Sequence, residues 1–150
     1  MDLFHSSYTN RLDVKSRLSI PAEFRAVLAQ RASRCVVLYP AIDQPAIDGA
    51  SEDYLEDIRR SVDALPPLSR ERDDFIDAIL PHVQCLNWDA GGRVVLPQSL
   101  ARHAGIKPET NVVFIGRGQS FQIWEPEAWA RRQEEARSRV RAMRAAGGAR

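Results

Sequence analysis

Cysteine is scarce in this 150-residue chain, and its two copies, Cys35 and Cys85, are too few for a disulfide framework. Both lie in apolar stretches and read as buried, reduced thiols. The three histidines, His5, His82 and His103, are scattered. His82-x-x-Cys85 is one pair near ligand spacing with no second pair to complete it, so no metal is expected. No apolar run approaches the roughly 20 residues that cross a bilayer. The N-terminus has no basic stretch followed by an apolar one, so no secretory signal is expected, and a cytoplasmic protein is. No glycine-rich phosphate loop and no nucleophile elbow occur. Asp73, Asp74 and Asp77 cluster, but beside Arg70 and Arg72 at helical spacing they read as a solvated face. No enzyme and no cofactor are expected.

Net charge is also lacking, at +1. The molecule as a whole therefore cannot attract polyanions indiscriminately. The balance is local instead. Residues 1–34 carry six Lys/Arg against three Asp/Glu, residues 41–80 carry four against eleven, and residues 126–150 carry seven against three. An anionic partner should meet the first or last segment and avoid the acidic middle.

What the chain does have is one pattern used twice. Asp13, Arg17, Leu18, Ile20 and Pro21 form D-x-x-x-R-φ-x-φ-P, and Asp89, Arg93, Val94, Leu96 and Pro97 repeat it 76 residues later. The offset continues without gaps. Val36 to Tyr39 fall on Val112 to Ile115, and Ala46-Ile47 on Gln122-Ile123. Each half, at about 70 residues, would bury a marginal core alone, and two halves sharing a core remove that difficulty.

Each repeat reads β-α-β-β-α. Leu18–Ile20 and Val94–Leu96 are short strands, each followed by a proline suited to the first turn of a helix. Phe24, Val27 and Leu28 give the first helix its apolar face. Gly105 suits the C-terminal cap of its counterpart. Cys35–Tyr39 reads as a buried strand, with a weaker strand at Ala46–Asp48. Asn111–Ile115 and Phe121–Trp124 are strands joined by a hairpin at 116–119. Two helices lie between the repeats. Ser51 is placed to cap the first, with a face of Tyr54, Leu55, Ile58, Val62 and Leu65; Ser69 is placed to cap the second, with Phe75, Ile76, Ile79 and Leu80. Pro126 starts a last helix with Trp129 inward, and residues 145–150 should fray. Such short, close strands suit small sheets closing into a shared barrel better than crossover units.

The repeated turn holds the chemistry. Gly91-Gly92 supplies positive φ, which Ser16 tolerates less well. In one reading the turn is structural: Asp13 and Asp89 accept backbone N–H groups, and each arginine pairs with its aspartate. In the other it presents Arg17, with Lys15, to an anion, the arginine as a planar fork for phosphate or a guanine edge.

The two D-x-x-x-R turns, Leu18-Ser19-Ile20-Pro21 and Phe121-Gln122-Ile123-Trp124 resemble the MraZ family of bacterial transcriptional regulators, over about Leu3 to Arg144. The resemblance implies an α+β fold with a mainly β core. Two tandem AbrB/SpoVT-like swapped-hairpin β-barrel repeats would form one pseudo-dimeric unit. They would span 3–50 and 83–127, with an acidic helical linker at 51–82 and an Arg-rich helix and tail at 128–150. It also implies a ring-like homo-oligomer associated with the nucleoid. That ring would bind double-stranded DNA at repeated G-rich boxes upstream of the division and cell-wall gene cluster, including its own operon. By the family's pattern the DNA-binding residues are Lys15 and Arg17, with Arg93 in the matching position. Asp13, Ser16, Asp89, Gly91 and Gly92 shape the turns. The family's first motif usually reads D-x-K-G-R, and Ser16 stands where that glycine does. The segment Phe4-His5-Ser6 likewise lacks a glycine common in relatives.

An antitoxin-like module that binds another protein is the competing reading. It calls for a disordered tail, whereas residues 131–144 are Arg-rich and helical in pattern. Those arginines read either as a solvated helix paired with Glu134 and Glu135 or as a second DNA contact.

Overall fold

The computed structural model describes residues 2–147. Eight strands and five α-helices are present among them. The strands are β1 (Ser7–Arg11), β2 (Arg17–Ser19), β3 (Val36–Pro40), β4 (Ile47–Ala50), β5 (Gln84–Leu86), β6 (Arg93–Val95), β7 (Asn111–Gly116) and β8 (Phe121–Trp124). The helices are α1 (Ala22–Gln30), α2 (Glu52–Asp63), α3 (Arg70–Ile79), α4 (Gln98–Ala104) and α5 (Pro126–Ala145). The fold is α+β, and every strand pairing is antiparallel.

Six strands form one sheet in the order β1-β7-β8-β4-β3-β5, and β2 and β6 form a separate ribbon. Under the 76-residue offset the sheet order maps onto itself. β4 pairs with its counterpart β8 at the centre, and each edge strand, β1 or β5, pairs with the long strand of the other half. The two halves are thereby interleaved rather than packed side by side. Neither edge strand is evident from apolar patterning, because β1 alternates exposed and half-buried polar residues and β5 has three residues.

The main core lies between the ribbon, α1, α4 and one face of the sheet. Each half fills it from matching positions: Leu18 with Val94, Ile20 with Leu96, Phe24 with Leu100, and Leu38 with Phe114. The other face of the sheet is covered in two patches. α2 and α3 lie over Val37 and Tyr39, while the first turn of α5 sets Ala128 and Trp129 on Ile115 and Trp124. A buried polar line separates the patches: Gln122 donates to Asp48 at 2.8 Å and accepts from the Trp124 indole at 2.9 Å.

Several local expectations hold and several do not. Ser69 caps α3, accepting from the Arg72 amide at 3.2 Å. Gly105 takes the left-handed conformation, φ 66°, after α4. Ser51 sits at the start of α2, but its hydroxyl turns to Asp53, and Ser33 Oγ accepts from the Glu52 amide at 3.0 Å instead. Cys35 is buried, its thiol pushed up to about 12 by burial first and by neighbouring Cys85 second. Cys85 is exposed, because β5 is an edge strand with only β3 beside it. α5 runs to Ala145, and the fraying expected over 145–150 falls in part on residues 148–150, outside the described residues.

Candidate nucleic-acid interface

The two turns before β2 and β6 have the same hydrogen bonds. In the first, Asp13 Oδ1 accepts from the backbone N–H of Lys15 at 2.9 Å and of Arg17 at 2.8 Å, and Oδ2 accepts from Arg17 Nε at 2.7 Å. In the second, Asp89 Oδ1 accepts from the N–H of Gly91 at 2.9 Å and of Arg93 at 3.0 Å, and Oδ2 from Arg93 Nε at 3.2 Å. A short side chain that caps two amides and clamps an arginine explains the spacing: the turn must bring residues i+2 and i+4 back onto the carboxylate.

Both carboxylates are held below the usual aspartate range. The arginine backbone N–H is the leading cause in each; desolvation opposes it, and the second backbone N–H and the guanidinium add to the lowering. A depressed carboxylate supports the fold above the pKa of the unfolded chain, and that support is lost as pH falls through the folded value.

Ser16 has φ 61° and Gly92 φ 77°; Gly91 is not in the left-handed region. The turn therefore needs one such residue, at its fourth position, and the first turn meets that need with serine. A left-handed conformation costs a non-glycine residue roughly 1–2 kcal/mol, partly offset by the greater unfolded-state freedom of glycine. Ser16→Gly should stabilise the protein by about 0.5–1 kcal/mol, a rise of roughly 1–4 °C in Tm by calorimetry. An unchanged or lower Tm would show that the serine is not strained.

The ribbon joins the turns reciprocally. The Ile20 amide donates to Gly92 O at 2.9 Å, and the Leu96 amide to Ser16 O at 2.8 Å. Leu18 faces Val94 across the ribbon, and both are buried. Side chains alternate along strands, so Arg17, Ser19, Arg93 and Val95 all take the outer face. Arg17 pairs with Val95 and Ser19 with Arg93, which sets the two arginine Cα atoms roughly 8 Å apart. Val95 is 62% exposed there. Arg17 is held through Nε, and among the described residues no side chain or carbonyl engages its two Nη atoms. Arg93 leans on Asp89 with Nη2 as well as Nε, both at 3.2 Å.

One neighbour escaped the sequence reading. Arg25 on α1 donates to Ile20 O at 3.1 Å and lies over the second turn, where a Cβ on Gly92 would sit 2.6 Å from its Cζ. Its counterpart under the offset is Ala101, so the repeat carried no signal for it. Lys15, Arg17, Arg25 and Arg93 are thus brought together at one ribbon. The C-terminal arginines are not part of it. Arg139 pairs with Glu135 at 2.7 Å and Arg141 with Glu134 at 3.0 Å on α5, which packs on the opposite face of the sheet.

A family model described as "MraZ protein, putative antitoxin-like" matches residues 79–146. A "Transcriptional regulator MraZ" from Beijerinckia indica is 46% identical over 144 residues, covering 96% of this chain and 87% of that one. The chain belongs to the MraZ family. Relatives of the same name from Methylocella silvestris and Pelagibacter ubique are 44% and 38% identical; the matches cover 96% and 95% of this chain and 87% and 91% of theirs. No helix among the described residues is long and apolar enough to cross a membrane.

Proposed function

We propose that this MraZ-family protein is a non-enzymatic, sequence-specific DNA-binding transcriptional regulator, cytoplasmic and nucleoid-associated. It acts on repeated promoter boxes upstream of a division and cell-wall gene cluster that includes its own operon. The observation that carries the reading is the pair of aspartate-clamped arginines on the outer face of the β2–β6 ribbon. A two-stranded ribbon fits the major groove, and an arginine fork held in one orientation suits the O6 and N7 atoms of guanine. The names of its relatives support the same reading.

The interleaved, self-mapping strand order supports two AbrB/SpoVT-like halves, at 3–50 and 83–127, separated by the helical linker 51–82 and followed by 128–150. Each ribbon offers few cations, so useful affinity calls for several subunits on one DNA, and a ring-like homo-oligomer supplies the effective concentration. The antitoxin-like alternative finds support in the family description; binding to protein without DNA would favour it.

Footprinting on the DNA upstream of the protein's own gene tests the proposal. Protected boxes at near-regular spacing are the expected result, and protection independent of sequence would reject it. Lys15, exposed and without a side-chain partner among the described residues, is assigned to phosphate. Lys15→Ala should weaken binding to all sequences alike and lower the salt slope by about one per engaged subunit. A mobility-shift titration at several salt concentrations reads this, and an unchanged slope would remove Lys15 from the interface.

A further inference from the structure

The outer face of the β2–β6 ribbon repeats its backbone but not its chemistry. Its four side chains fall in two rows, Arg17 opposite Val95 and Arg93 opposite Ser19. The 76-residue offset exchanges the rows, since Arg17 corresponds to Arg93 and Ser19 to Val95. Each row therefore has an arginine, but beside Arg17 stands an exposed, branched apolar side chain and beside Arg93 a half-buried hydroxyl. Val14, in the turn that leads to Arg17, is 67% exposed as well, and its counterpart is the smaller Ala90. Two exposed valines thus border one arginine, and neither has a match at the other. Packing does not account for Val95, because Val94 and Leu96 on either side of it fill the core. On the strand itself threonine would serve as well.

Spacing relates a row to base pairs. Side chains directly opposite on antiparallel strands have Cβ atoms about 4.5–5.5 Å apart. Successive base pairs are about 3.4 Å apart along the duplex. Val95 is therefore within reach of a base pair next to the guanine that Arg17 forks. In the major groove, base edges carry hydrogen-bond donors and acceptors and one apolar projection, the C5-methyl group of thymine. Valine offers nothing to a donor or an acceptor, and pressing it on either leaves that group dehydrated without a partner. Against the thymine methyl the same approach buries apolar surface on both sides. Serine, in the other row, can bond with any base, so the Arg93 row lacks this discrimination.

We infer that Val95 is a specificity-determining residue that reads the C5-methyl group of a thymine adjoining the guanine contacted by Arg17. This assignment rests on the DNA-binding reading above and adds one base contact to it. Arg17 and Val95 work as one row, because the strand register sets them opposite each other and the buried pair Leu18 and Val94 anchors the ribbon beneath them. Asp13 restrains the arginine of that row through its Nε, so the position of the guanine contact relative to Val95 is fixed as well. The row selects in two ways: the methyl group gains a contact, and a polar base edge in its place loses its water.

The test measures binding of the wild-type chain, Val95→Ala and Val95→Thr to the DNA upstream of the protein's own gene. In one protected box each thymine is replaced singly by deoxyuridine, which removes the C5-methyl group and leaves the hydrogen-bonding groups in place. Circular dichroism and light scattering confirm that the variants keep the fold and mass of the wild type. At one thymine beside a guanine, deoxyuridine should weaken wild-type binding about fourfold, the worth of one buried methyl group. Val95→Ala should already bind the unmodified box more weakly and lose nothing further at that position. Val95→Thr, which keeps one methyl group, should keep the sensitivity. A wild type indifferent to deoxyuridine at every position, or a Val95→Ala protein as sensitive as wild type, would overturn the inference and leave the regulator reading standing. So would a changed mass in Val95→Ala, because Val95 would then be a contact between subunits. A wild type with no preference for this DNA over unrelated DNA would overturn both.

Discussion

Arg17→Ala is expected to abolish specific DNA binding while leaving the protein folded. Arg17 is half exposed on the outer face of the ribbon, and its structural contact is one bond from Nε to Asp13. Removing it deletes a bidentate fork worth about 1–3 kcal/mol per engaged subunit. Several subunits on one operator multiply that loss beyond measurable affinity. Arg17→Lys should fail nearly as badly on the operator yet keep affinity for unrelated DNA, because lysine supplies charge without the fork. Arg93→Ala should cost less, since Arg93 spends two nitrogens on Asp89 where Arg17 spends one. Operator binding by a folded Arg17→Ala protein at wild-type strength would sink the assignment. An equal loss with Arg93→Ala would mean that both turns read DNA.

Asp13 separates orientation from charge. Asp13→Ala removes a negative charge beside the proposed DNA and by electrostatics alone would tighten binding to every sequence. It also frees the Arg17 side chain and two turn amides. The expected result is therefore weaker operator binding with equal or tighter binding to unrelated DNA.

Much of this arrangement is legible in the residues, and the rest is hidden for identifiable reasons. The 76-residue offset places β2, α1, β3 and β4 beside β6, α4, β7 and β8, because buried strands and helix faces keep their apolar pattern. It does not reveal β1 and β5. Those strands are short and polar-faced, and only their partners in the opposite half give them a reason to form. The interleaving of the halves is invisible in one dimension for the same reason. At the turn, acid and arginine are legible by spacing, but Arg25 enters from a helix that has alanine in the other repeat. The linker helices teach a different lesson. Their periodicity marks Phe75 and Leu80 as one apolar face, yet both are exposed. Periodicity states that a face exists and leaves open whether the same chain covers it.

The largest effect on stability is expected at Phe24, which is fully buried at the centre of an aromatic cluster. Its ring centroid lies 5.2 Å from Phe4, 5.3 Å from Tyr8 and 5.1 Å from Phe121, and Phe114 is at 6.2 Å. The Phe4 and Tyr8 contacts are near-perpendicular edge packings, which add to the burial itself. The cluster joins the N-terminal strand region, α1 and the central strands of the other half, so a cavity here loosens the seam between halves. Phe24→Ala should cost about 3–5 kcal/mol, a large part of the roughly 5–15 kcal/mol that holds a domain folded. The site has little room to collapse: Gly49 lies under Phe121 so closely that a Cβ there would sit 2.3 Å from the ring. Urea titration should show a lower midpoint with an unchanged slope. Phe24→Leu, which keeps most of the volume, should cost well under half as much. If alanine and leucine cost the same, the cluster is not close-packed around Phe24, and the seam between the halves is held elsewhere.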